Sequence, residues 1–177
     1  MRFLSGYAAG AAVLLAGCGG SETVQPREFR AELDRVGPAN ARAHLTGDEE
    51  VPPTGSAAQG QAIFRLSPDG SSMSFRVLVA NINNTLMAHI HVAPPGVNGP
   101  IVVWLRPSGP PPVLVPGRFD GVYAEGTFTA ANLVGPLAGQ PLQALIDAME
   151  AGSTYTNVHT SQHPGGEIRG QISGTFH

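Results

Sequence analysis

The chain has 177 residues, 42% hydrophobic and 13% charged, with a formal charge of −3, which allows one domain with a packed core. Its ten basic residues are all arginines, scattered singly; this excludes the clustered positive charge with which a nucleic-acid surface displaces counterions. With 23 Gly and 16 Pro, the composition points to strands and turns rather than to a helical bundle.

Arg2 precedes an apolar, small-residue run from Phe3 to Ala16, and Leu15-Ala16-Gly17-Cys18 ends it. This pattern resembles the bacterial lipobox, an alternative being a soluble secretory signal with a chance cysteine. The resemblance implies a bacterial source, a signal peptide over 1–17, and lipidation of Cys18 as the membrane anchor. Gly19, where Asp commonly causes inner-membrane retention, favours an outer-membrane address, on the periplasmic side or the cell surface. The apolar run is shorter than the ~20 residues a spanning helix needs. Cys18 is the only cysteine, so no disulfide can brace the fold and no thiolate is left for catalysis or metal binding.

Residues 18–40 read as a polar tether. Phe29, Leu33 and Val36 fall at helical spacing, so one or two helical turns can form between Arg27 and Val36. The domain itself is expected over 41–177. Ala43 and Leu45 alternate with Arg42, His44 and Thr46 as a first strand, and Asp48-Glu49-Glu50 leaves it as an acidic run expected to be solvated. Ala62, Phe64 and Leu66 share one face of a second strand, and Met73, Phe75, Val77 and Val79 one face of a third. The turn Ser67-Pro68-Asp69-Gly70 joins them into a hairpin with one buried face. A strand over Met87–Val92 follows, then a continuous apolar strand over Ile101–Leu105, with Trp104 read as core. Pro107–Pro112 is a rigid loop. After a strand over Val122–Thr129, Pro141 and the stripe Leu142, Leu145, Ile146, Met149 predict a short helix near 141–151. Tyr155–Thr160 and Gly166–Phe176 are the last strands. The expected architecture is all-β, a Greek-key sandwich or barrel of about eight strands with one short helix.

The chemistry centres on Ala88-His89-Ile90-His91-Val92. Side chains alternate along a strand, so His89 and His91 share a face. A third imidazole, His159, lies in the later β-rich segment Tyr155–Thr160. Two readings fit: a metal site at His89, His91 and His159, or a structural polar cluster that holds the Gly/Pro-rich turn after Val92. Three neutral imidazoles with an open position suit copper or zinc, and the Irving–Williams order puts copper first. His163, four residues after His159 in a turn, is a candidate fourth ligand or supporting group. His44 can approach from its strand, and the terminal His177 is expected to be free. Glu167 and Arg169, two apart on one strand, are expected to pair with each other or with the histidines, as an ion pair that fixes register or as part of the site.

Leu45-Thr46-Gly47 with Glu50-Val51-Pro52-Pro53, Ala88-His89-Ile90-His91 with Gly96 and Asn98-Gly99-Pro100, Tyr155-Thr156-Asn157-Val158-His159-Thr160 and Gly166-Glu167-Ile168-Arg169-Gly170-Gln171 together resemble the CHRD (chordin-type) domain. The likeness runs in order from about Ala41 to Ser173 and implies an extracytoplasmic all-β binding or structural module. The His-x-His strand, the later Val-His and the Gly-x-x-Arg also resemble copper/zinc superoxide dismutases. That likeness implies His89, His91 and His159 as copper ligands, Arg169 as an anion guide, and a mononuclear copper redox protein as the alternative function. Nothing here matches the bridging histidine or zinc loop of those enzymes, and their disulfide is impossible. The chain has no Gly-x-Ser-x-Gly elbow, no P-loop and no His-Glu-x-x-His helix.

Overall fold

The computed structural model describes residues 40–176. The expected signal segment, Cys18, the expected tether up to residue 39 with its helical turns, and His177 lie outside the described residues. Eight strands and one helix follow in order: β1 (Ala41–Thr46), β2 (Gln59–Leu66), β3 (Ser72–Val92), β4 (Ile101–Arg106), β5 (Val115–Thr129), α1 (Leu142–Glu150), β6 (Thr154–Thr160), β7 (Ile168–Gln171) and β8 (Ser173–Gly174). No helix among the described residues is long and apolar enough to cross a membrane.

The strands form one antiparallel sheet that closes on itself through β2, β1, β7, β6 and β3. β3 makes the closure possible. Its first half pairs with β2 and β5, its second with β6 and β4, and Thr85 is bonded on both sides. The register slips around Asn81–Asn84, and Asn81 and Asn84 take positive φ angles of 58° and 52°. Bulges of this kind bend a strand and increase its twist, so β3 turns a corner of the barrel without ending. The expected strands at 73–79 and 87–92 are therefore one 21-residue strand. Conversely, the last expected strand is two, because Ile172 leaves β7 to donate its N–H to Thr154. β8 then pairs with the start of β1.

Inside the barrel lie Leu45, Phe64, Met73, Val77, Val79, Ile82, Ile90, Val158 and Ile168, all buried. Each such side chain contributes roughly 1.5–3 kcal/mol through removal from water. α1 buries the predicted stripe Leu142, Leu145, Ile146 and Met149 against this core, with Pro141 as its N-cap. The hairpin of β2 and β3 pairs Phe64 with Phe75 and Ala62 with Val77 as the alternation predicts. Asp69 accepts bonds from Ser67 and Ser71 in its turn.

For the site, the important consequence is which residues point away from the core. Ala88, Ile90, Val158 and Ile168 point inward, so His89, His91, Asn157 and Arg169 point outward. Cross-strand register sets His89 between Trp104 and Asn157, Asn157 beside Arg169, and His91 beside Tyr155.

Candidate metal centre

An outward-facing patch of a sheet normally meets water, yet His89, His91, Tyr155, Asn157, His159 and Arg169 are all buried. Three loops cover them. Arg169 holds the loop between β3 and β4 by donating Nη1 to Asn98 Oδ1 at 3.0 Å and Nη2 to the Val97 carbonyl at 2.7 Å. Its guanidinium also lies 3.4 Å from the centroid of the Tyr155 ring. Tyr155 in turn stacks on His91, with centroids 4.7 Å apart and planes 4° apart. In the same loop Gly99 donates its N–H to the Tyr155 hydroxyl. A Cβ at Gly99 would run into the Val92 carbonyl, so the close approach of this loop needs a glycine. Asn98 Nδ2 then donates to the Val51 carbonyl and ties this loop to the one after β1.

The three histidines meet beneath this cover. Their ligating nitrogens lie within 4.8 Å of one another. His91 Nδ1 donates to the Gly99 carbonyl at 2.9 Å, and His159 Nδ1 to the Pro164 carbonyl at 3.0 Å. Spending Nδ1–H on a carbonyl fixes the tautomer and leaves Nε2 of both rings as a bare lone pair. His159 Nε2 stands 3.1 Å from His89 Nδ1 and 2.9 Å from Asn157 Oδ1. The Nε2 atoms of His89 and His91 are buried with no hydrogen-bond partner. The pocket thus collects lone pairs. A cation satisfies all of them at once, where a shared proton satisfies a single pair. Nitrogens about 2.0–2.1 Å from a tetrahedral ion stand roughly 3.3 Å apart; the 3.1 Å pair already meets this, and the third nitrogen lies within 4.8 Å of it. The set fits a transition-metal ion.

Electrostatics keeps the rings in the ligating form. Burial pushes His89 down to about 3, helped by His159 and His91. Burial pushes His159 down to about 4, against the pull of its bond to Pro164. His91 is also lowered, first by burial and then by the charge of Arg169, while its bond to the Gly99 carbonyl and the neighbouring Asn157 side chain oppose the shift. All three are neutral at neutral pH, as ligands must be.

Of the other residues picked out from sequence, His163 is not part of the converging group; it is half-buried in the turn after β6, beside Pro164. His44 is exposed on β1 and bonds Gln61 rather than the other histidines. Trp104 is not core. It is half-buried and stands edge-on to His89, with centroids 4.2 Å apart. Glu167 and Arg169 do not pair with each other: Glu167 accepts from Ser56 and Thr160, and Arg169 clamps the loop.

The acidic run divides. Asp48 and Glu49 are exposed as expected, whereas Glu50 is 5% exposed. Its carboxyl occupies the space where residue 166 has no side chain: a Cβ at Gly166, whose φ is +131°, would strike Glu50 Oε1 and crowd the Asn157 amide. Burial raises Glu50 to about 7, overriding the charge of Arg169 and the bonds from Val51 and Asn157. Sequence reasoning missed this residue, because what buries it is Gly166, more than a hundred positions away.

Among comparisons with known proteins, the family model of the CHRD domain matches residues 41–172. No curated protein matches the chain, and no solved structure does.

Proposed function

The chain belongs to the CHRD domain family, and from that premise we propose that it is a lipid-anchored extracytoplasmic binding module that holds one transition-metal ion at His89, His91 and His159. Copper is the first choice and zinc the second, because the ligands are all imidazole and Cu(II) stands highest in the divalent series. One observation carries the reading: three neutral, buried imidazoles bring ligating nitrogens within 4.8 Å of one another, and the bare Nε2 of His91 has no hydrogen-bond partner. A merely structural cluster would spend that nitrogen on a hydrogen bond. The anchor rests on Leu15-Ala16-Gly17-Cys18, and the outer-membrane address on Gly19.

Equilibrium dialysis against Cu(II) and Zn(II), followed by metal analysis, tests the site. One copper per chain is expected in the wild type and a trace in the His89→Ala/His91→Ala variant. Equal, substoichiometric metal in both would end the proposal. Incorporation of labelled fatty acid into wild type and not into Cys18→Ser tests the anchor.

A second reading draws on the coordination number. Three nitrogens leave a copper ion with an open position, which is what a mononuclear redox site with superoxide dismutase-like chemistry requires. Arg169 would then act on an anion through its fixed positive charge, with its donors still committed to Asn98 and Val97. Superoxide turnover by the copper-loaded protein, reduced in Arg169→Gln, supports that reading. Binding without turnover leaves the module as a metal holder.

A further inference from the structure

Glu50 lines an open groove of about 460 Å³ together with Asn98, His163, Pro164 and Gly166. The groove borders the cover of the histidine cluster. Pro164 bounds it and accepts the hydrogen bond of His159 Nδ1–H, and Asn98 bounds it and accepts from Arg169. On its inner side the Glu50 carboxyl and the Asn157 amide nitrogen both flank Gly166, and the Asn157 amide oxygen stands 2.9 Å from His159 Nε2. Glu50 Oε1 is buried and has no hydrogen-bond partner. Glu50 and then Asn157 therefore lie between the groove and His159.

We propose that Glu50 is the capture residue through which a divalent transition-metal ion passes from this groove to His89, His91 and His159. The inference rests on the metal-binding reading above. An aqueous cation entering a dry pocket has to shed its waters in stages, and each stage needs an oxygen to replace one. The carboxylate supplies the first and the Asn157 carbonyl the second. Arg169 poses the opposing problem. Its buried positive charge stands beside the path and repels an incoming cation, and Glu50 is the acidic side chain placed to offset it. No covalent bond changes; the carboxyl releases its proton to water when it takes the ion, and releases the ion to the nitrogens. In the filled site Glu50 is no longer a ligand, so it controls the rate of entry and not the final affinity.

The chain contains one tryptophan, and Trp104 touches His89, so arrival of Cu(II) quenches its emission. Stopped-flow mixing of the full-length protein with Cu(II) chloride, at equal final stoichiometry by metal analysis, gives the entry rate. Glu50→Gln, which keeps length and loses charge, is expected to slow quenching at least tenfold and to bind one copper at the end. Glu50→Asp, which keeps charge and loses length, is expected to remain closer to wild type. A wild-type rate in Glu50→Gln overturns the inference, as does the reverse order of the two variants, which a role in packing alone would give. No quenching and no bound copper in the wild type would overturn the metal reading and this inference together. Wild-type quenching at a rate indifferent to residue 50 removes this inference alone.

Discussion

The two halves of β3 carry the same alternation and meet opposite surroundings. In the first half, Met73, Phe75, Val77 and Val79 fill the barrel, and the outward Arg76 forms a salt bridge to Glu125 at 2.8 Å, the partners 28% and 58% exposed. In the second half, Ala88 and Ile90 fill the barrel, and the outward His89 and His91 are as dry as the core, at 0% and 7% exposure. The difference lies in what covers the sheet. Arg169, Gly99 and Asn98 bring loops over the second half, and the first half faces solvent. Polar residues on an outward face are solvated in one place and desolvated in the other, and the desolvated histidines are held neutral. Alternation tells which residues leave the core; it does not tell whether they reach water.

The contrast can be broken most severely at the histidines. His89→Ala/His91→Ala removes two of three ligands and is expected to weaken Cu(II) binding beyond the ~100-fold that loss of a merely supporting contact costs, read by competition with a chelator of known affinity. Acid is the next lever. An unfolded histidine takes a proton near 6.5, while in the fold His159 holds off until about 4 and His89 until about 3. Across that window the unfolded chain binds more protons, so stability falls as the pH falls. Glu50 acts in the opposite sense. Its carboxyl is raised to about 7 in the fold, so it contributes stability below 4.5 that is lost as the pH rises through 7. Three lowered rings outweigh one raised carboxyl. The metal-free protein should lose on the order of several kcal/mol between pH 6.5 and 4. Urea midpoints at those two pH values measure it, and equal midpoints would mean that the covered half is wet after all.

Gly99→Ala attacks the cover itself. The new methyl group meets the Val92 carbonyl, an overpacking cost of about 1–3 kcal/mol; the thermal midpoint should drop and hydrogen exchange in the loop between β3 and β4 should quicken. Glu125→Gln, on the open half, should cost less than about 1 kcal/mol, because an exposed pair is screened. A larger loss there than in Gly99→Ala would reverse the contrast.

The convergence of the histidines was legible from spacing and strand character. His-x-His put two rings on one face, and the β-rich segment around His159 supplied a neighbouring strand. The long β3 was not legible, because asparagines are depleted in strands and the alternation lapses between Val79 and Met87; in the fold Asn81 and Asn84 accept positive φ inside a continuing strand, which takes bulges rather than an end. The loop cover was hidden for a different reason. Its anchors join Arg169 to Asn98 and Glu50 to Gly166, contacts between distant parts of the chain that no local pattern encodes. Trp104 was misplaced because a continuous apolar run does not say which side of a strand is inward.

β7 is four residues long, lies between β1 and β6, and carries Arg169. Ribosomes deliver it after His89, His91 and His159 have emerged. Until it arrives, β1 and β6 present bare edges, the kind that invite pairing with a neighbouring nascent chain. A polypeptide cut short before residue 168 would carry every imidazole of the centre and still lack the seam that makes it a vessel.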